Sequence, residues 1–157
     1  MFSFRRNRRP EIPLAEPALP YPLTPRPPIA ILSPYFPHST IALKDAKTVA
    51  APMSTIRSID RQIWSPDFPV VVFSSVNEGL ATDADRDYIW RNFGVPVFEY
   101  FLSEEGKIVA RECEAHEGLH LDHPVPGLVT EEQCPCGRPG NRLLRLTAED
   151  QQVNAII

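Results

Sequence analysis

Three patterns of apolar and polar positions follow one another along the chain. Pro69-Val-Val-Val-Phe-Ser-Ser75 is a continuous β-branched run, the signature of a strand covered on both faces. Thr82 followed by Asp85 predicts a helix start with a variant capping box, each side chain satisfying the other's backbone N–H. That helix is expected to run to about Phe93, where Gly94 is placed to end it. Pro96-Val-Phe-Glu-Tyr-Phe-Leu102 reads as the next strand. Strand, helix and strand with short connections predict a βαβ unit with parallel strands. A shorter helix is expected from Ser54, whose hydroxyl can cap free amides, with Ile56, Ile59 and Ile63 on one face.

Beyond Leu102 the periods shorten. Lys107–Glu112 and Gly118–Leu121 read as short strands joined by a turn at His116–Gly118. Arg142–Leu146 reads as a third, and a last helical turn is expected from Thr147, with Val153, Ile156 and Ile157 apolar. No internal repeat is visible.

Proline changes the picture at the other end. Of 18 prolines, ten lie between Pro10 and Pro37, each fixing φ and removing a donor. Residues 1–37 are therefore expected to form an extended, polyproline-like arm ahead of one α/β domain over 38–157. Ile12, Leu14, Leu19, Tyr21, Ile29, Ile31 and Leu32 make the arm more apolar than a linker requires. It is expected to lie along a surface of this domain or of a partner. A protein partner or a second copy, engaged through residues 1–37, is the association this predicts.

Composition narrows the class. The 157 residues, 43% hydrophobic and 23% charged, suit one globular domain. A net charge of −4 gives no general affinity for nucleic acid or anionic membranes. Arg5, Arg6, Arg8 and Arg9 are a local exception, read as solvated charge near a terminus. No apolar run approaches the roughly 20 residues of a membrane-spanning helix. The basic start is followed by prolines rather than the apolar stretch of a secretory signal, so a cytoplasmic location is expected.

All three cysteines lie between positions 113 and 136. An odd, local set argues for a metal site over a disulfide framework. The pattern is Cys113-x2-His116, seventeen residues, then Cys134-x-Cys136. Zinc takes thiolate sulfur and imidazole nitrogen in a tetrahedron, and four protein ligands make a closed, structural site. Cys113, His116, Cys134 and Cys136 are the expected ligands, within a zinc-binding subregion over 107–146. His120 and His123 are the substitutes, since alternation along the second strand can turn His120 to the same face. The competing reading is three small thiols and a surface histidine. The expected fold class is α/β: a small βαβ unit with a mixed sheet, then a zinc-stapled antiparallel β segment, preceded by the proline-rich arm.

Three segments carry a family resemblance: Asn92-Phe-Gly-Val-Pro-Val-Phe-Glu-Tyr-Phe-Leu-Ser-Glu104, Glu112-Cys-Glu-Ala-His-Glu-Gly-Leu-His120 and Cys134-Pro-Cys-Gly-Arg138. Residues 69–146 thereby resemble the middle of the phenylacetate–coenzyme A ligase family of adenylate-forming enzymes. The resemblance implies zinc on the cysteine and histidine residues above. It also implies residual nucleotide contacts: Glu78 near the adenine pocket, Tyr100 beside the base, Ser103 near a phosphate and Glu104 on magnesium.

The departures are as informative. Phe101 stands where the family has a glycine, and Asn77-Glu-Gly-Leu80 replaces Gly-Glu-Pro-Leu. Thirteen residues separate His120 from Cys134, where the family has a longer, ribose-gripping segment. No glycine precedes Gly79, so the N-terminal half holds no glycine-rich phosphate loop. A counterpart of the family's mobile C-terminal domain is also not seen. Glu104 and Glu105 read better as a solvated turn than as a carboxylate pair, and Phe98, Tyr100 and Phe101 better as core than as a base-stacking platform. Asp83, Asp85 and Asp87 suit a helix N-terminus. The expectation is a non-catalytic, zinc-stabilised accessory or binding protein. The alternative is one part of a split acyl-CoA ligase, performing ATP-dependent acid–thiol ligation with a partner chain.

Overall fold

The computed structural model describes residues 19–35 and 41–147. Its strands are β1 (Ile29–Ile31), β2 (Thr48–Pro52), β3 (Val70–Ser74), β4 (Val97–Leu102), β5 (Ile108–Glu112), β6 (Leu119–Leu121), β7 (Leu128–Thr130) and β8 (Arg142–Arg145). They form one sheet in the order β1-β2-β3-β4-β5-β6-β8-β7. The first four strands are mutually parallel and the rest antiparallel. The fold is therefore α/β with a mixed sheet, as the alternation of elements implied.

The βαβ unit follows the sequence pattern closely. β3 is buried at every position, and its Val70–Ser74 run aligns with Val97–Phe101 of β4. Between them lies α2 (Asp83–Phe93). Thr82 accepts from the Asp85 N–H, the Asp85 carboxylate accepts from the Thr82 N–H, and Gly94 closes the helix at φ 68°. α1 (Met53–Arg57) is shorter than expected and starts after Pro52, with no side-chain cap from Ser54. The Ser58 hydroxyl donates to the Thr55 carbonyl at 2.6 Å, and Asp60 accepts from the Gln62 N–H at 2.9 Å. Such local bonds end helices. Ile56 is buried and Ile59 partly so, but Ile63 is 84% exposed and shares no face with them.

Alternation along the parallel strands divides the core. Val49, Ala51, Val70, Val72 and Val97 face α1 and α2 through Ile56, Ile89 and Phe93. Ala50, Val71, Phe73, Phe98 and Tyr100 face the other way and are covered by Leu19 and Tyr21. A third cluster joins Phe101, Val109, Ala110, Leu119 and Leu143 at the antiparallel end.

The segment expected as an arm is thus used inside the fold in its described part. Leu19 is fully buried, the Tyr21 hydroxyl donates to the Pro69 carbonyl, and Ile29–Ile31 is the edge strand. Residues 1–18 and the helical turn expected after Thr147 lie outside the described residues. Among the described residues no helix is long and apolar enough to cross a membrane.

Leu19→Ala is expected to lower unfolding stability by about 2–4 kcal/mol, the cost of emptying a buried leucine site. Urea denaturation measures it, and an unchanged midpoint would mean that the segment is not packed.

Candidate metal centre

The antiparallel half gathers its cysteines by two matching turns. Cys113 follows β5 directly, and its carbonyl accepts the His116 N–H at 3.0 Å. The Cys134 carbonyl accepts the Gly137 N–H at 2.9 Å, with Gly137 at φ 84° where only glycine sits without strain. Backbone N–H groups of Ala115 and Arg138 point at the Cys113 and Cys136 sulfurs, each at 3.4 Å. N–H groups aimed at sulfur favour the thiolate.

The fourth donor is His120, in the middle of β6. Cys113, His120, Cys134 and Cys136 place one ligand atom each within 4.8 Å of one another, an arrangement that can hold a metal ion. Cys113 and Cys134 sulfurs are 3.6 Å apart, and the Cys136 sulfur lies 3.5 Å from His120 Nε2. A disulfide needs about 2.0 Å, and all three cysteines are free.

His116, expected as the imidazole ligand from the Cys-x2-His spacing, is turned elsewhere. It adopts φ 54° at the end of its turn, and its Nδ1 lies 3.0 Å from Glu112 Oε1. A residue three past Cys113 closes the turn instead of reaching back over the sulfur. His120 stands on the neighbouring strand opposite Arg111, and so returns to the sulfur's side.

The ionisable groups of the cluster are shifted in different directions. Burial pushes the Cys113 thiol up to about 11, whereas a coordinated metal deprotonates a thiol outright. The Cys134 thiol is held down, first by the Cys136 backbone N–H and further by neighbouring thiols and Arg142. Burial, then Arg138 and Arg142, hold His120 below its ordinary value, which keeps the ring neutral and its lone pair available.

Arg142 is the most informative neighbour. It is 4% exposed, paired with His120 in the sheet register, and acts electrostatically on both His120 and Cys134. Its terminal nitrogens donate to the Glu117 and Glu132 carbonyls, and its Nε–H has no hydrogen-bond partner. No carboxylate pairs with it among the described residues. A buried guanidinium without a counter-charge is costly. Three thiolates around a dication leave one net negative charge beside it.

The residues expected as nucleotide contacts separate. Glu78, Ser103 and Glu104 line a cavity of about 210 Å³ beyond the C-terminal ends of β2, β3 and β4. Tyr100 is not with them: it is 2% exposed in the core, and its hydroxyl donates to the Pro20 carbonyl. Glu104 and Glu105 form an exposed turn before Gly106.

A second constellation went unread in the sequence. Glu99 on β4 and Glu112 on β5 are both buried, with Arg86 of α2 between them. The available signal was an acid in the middle of an otherwise apolar strand.

No protein-family model matches the chain, and no curated protein matches it.

Cobalt(II) titration, read by the intense visible bands of tetrahedral thiolate sites, distinguishes the two imidazoles. His120→Ala is expected to weaken binding by about 100-fold or more and His116→Ala to leave it nearly unchanged. Arg142→Gln, which keeps a donor and removes the charge, is expected to cost about tenfold in affinity.

Proposed function

We propose that this chain is a zinc-stabilised binding or accessory protein with no catalytic activity of its own. The observation that carries this reading is the closed Cys113–His120–Cys134–Cys136 cluster. Four protein ligands leave no coordination position for water or substrate, so the ion ties the chain together rather than acting on a molecule.

Zinc fits the donor set. With Zn–S of about 2.3 Å and Zn–N of about 2.0 Å, a tetrahedron has S···S edges of about 3.8 Å and S···N edges of about 3.5 Å. The separations of 3.6 and 3.5 Å lie close to both. The charge argument agrees, since Zn(Cys)3(His) is singly negative and Arg142 offsets it. Iron–sulfur clusters usually take four cysteines, and this chain has three.

The kinship with phenylacetate–coenzyme A ligases belongs to the same proposal. It rests on the sequence segments Asn92–Glu104, Glu112–His120 and Cys134–Arg138. The absence of catalysis is supported by size and shape. The cavity that Ser103 and Glu104 line measures about 210 Å³, below the range of about 300–1,000 Å³ usual for small-molecule sites, and the larger cleft that Glu78 also lines includes neither of them. Phe101, in place of a glycine, is 2% exposed and packed into the sheet. An accessory role implies a protein partner or second copy, and the proline-rich segment before Leu19 is the proposed contact.

Untagged protein is expected to contain one zinc per chain, by elemental analysis. Cys134→Ser should lose the metal and folded structure together. Magnesium–ATP should leave the melting temperature unchanged, because a ligand stabilises only what it binds. A metal-free folded protein would contradict the zinc reading, and stabilisation by magnesium–ATP would contradict the non-catalytic one.

A further inference from the structure

We propose that the cleft between the start of α2 and strands β6 and β8 binds a small organic cation, an ammonium or amidinium carried on an apolar body. The cleft measures about 680 Å³, within the size range of small-molecule sites. This inference deepens the reading of the chain as a binding protein. It also depends on the Cys113–Gly118 turn, which the metal centre holds, because His116 on one wall belongs to that turn.

The walls and floor differ in chemistry. Leu80 and the exposed Leu144 give apolar surface over the buried Leu119 and Leu143, while Arg86, Glu99, Glu112 and His116 converge on it. Glu112 is fully engaged: Oε1 pairs with Arg86 at 2.9 Å and His116 Nδ1 at 3.0 Å, and Oε2 accepts the Glu99 N–H at 2.7 Å. Glu99 is not. It accepts the Ala81 N–H and is also held by the Ser74 hydroxyl, while Arg86, its one ion-pair partner among the described residues, stands 3.6 Å away and is already committed to Glu112.

Positive charge is therefore what the cleft is short of. Its lining carries four carboxylates, Glu78, Asp83, Glu99 and Glu112, against the guanidinium groups of Arg86 and Arg145. Burial raises Glu99 to about 7, with the Ala81 N–H, Arg86 and Ser74 opposing and Glu112 adding to the rise. A carboxylate or phosphate head group would meet these acids. A metal ion is disfavoured as well, since the thiol cluster is the group of ligating atoms found within coordination reach among the described residues. An organic cation completes the Glu99 pair with a charge-assisted hydrogen bond, and its apolar body covers the leucines.

The test uses the zinc-loaded full chain and three probes of one shape: n-hexylammonium, hexanoate and hexanol. Calorimetry gives affinity, and amide chemical shifts give location. Hexylammonium is expected to bind at least about tenfold more tightly than either other probe, a gap of about 1.4 kcal/mol. The amides of Gly79, Ala81, Glu99 and Leu119 should shift, and those of Cys134 and Gly137 should not. Glu99→Gln should abolish the preference for the ammonium head while retaining zinc. Equal binding of all three probes, tighter binding of hexanoate, shifts centred elsewhere, or no binding to zinc-loaded protein would each overturn the proposal. If Glu99→Gln does not fold, the head-group comparison on the native chain decides. Zinc content measured on the same samples separates failure of this site from failure of the metal reading.

Discussion

Arg142 is a positive charge at 4% exposure, set beside the Cys134 sulfur and the His120 imidazole. Much of the antiparallel half depends on how that charge is balanced. β6 and β7 have three residues each and β8 has four, too short to be held by ladder bonds alone. The cluster joins the end of β5, the middle of β6 and the loop before β8 at one point. A metal bound there would contribute folding free energy, because the unfolded chain has no such site. Without an ion, the same burial would leave a guanidinium uncompensated and the Cys113 thiol reluctant to ionise. A metal held by the cluster and the arginine would each make the other's burial tolerable.

The parallel half has a different source of stability. β3 and β4 are buried along their whole length and carry ordinary apolar packing against α1, α2 and the segment from Leu19. The two halves meet at Glu99 and Glu112, neighbours across β4 and β5, with Arg86 reaching in from α2. Cys113 immediately follows Glu112, and His116, bonded to Glu112, ends the same turn at φ 54°. The turn that presents a sulfur to the metal thus also shapes the wall of the acidic cleft. Stability and the proposed binding function share residues 112–118.

Much of this was legible in the amino-acid sequence, and the gaps have physical reasons. The Thr82–Asp85 box, Gly94 and the run Val70–Ser74 each state a local rule that the fold obeys. β2 was not read, because Thr48-Val-Ala-Ala-Pro52 has two small residues and a proline, and its burial comes from neighbours. β1 was hidden among prolines: Ile29–Ile31 is an edge strand, where a preceding proline is tolerated. β7 is a three-residue edge strand with Leu128 exposed, too short to show a period. Three of the four residues of the cluster followed from spacing. The fourth required knowing that the Cys113 turn closes at His116, so that His120 on the adjacent strand faces the sulfurs. Arg86, Glu99 and Glu112 are far apart in sequence, and only the pairing of β4 with β5 brings them together.

The most direct test of the central claim is X-ray absorption at the zinc edge on untagged protein. The account predicts three sulfur neighbours at about 2.3 Å and one nitrogen at about 2.0 Å, with no further light scatterer in the first shell. His120→Ala should exchange that nitrogen for a solvent oxygen or lose the ion. A shell dominated by nitrogen and oxygen, or no zinc edge in well-folded protein, would contradict the account.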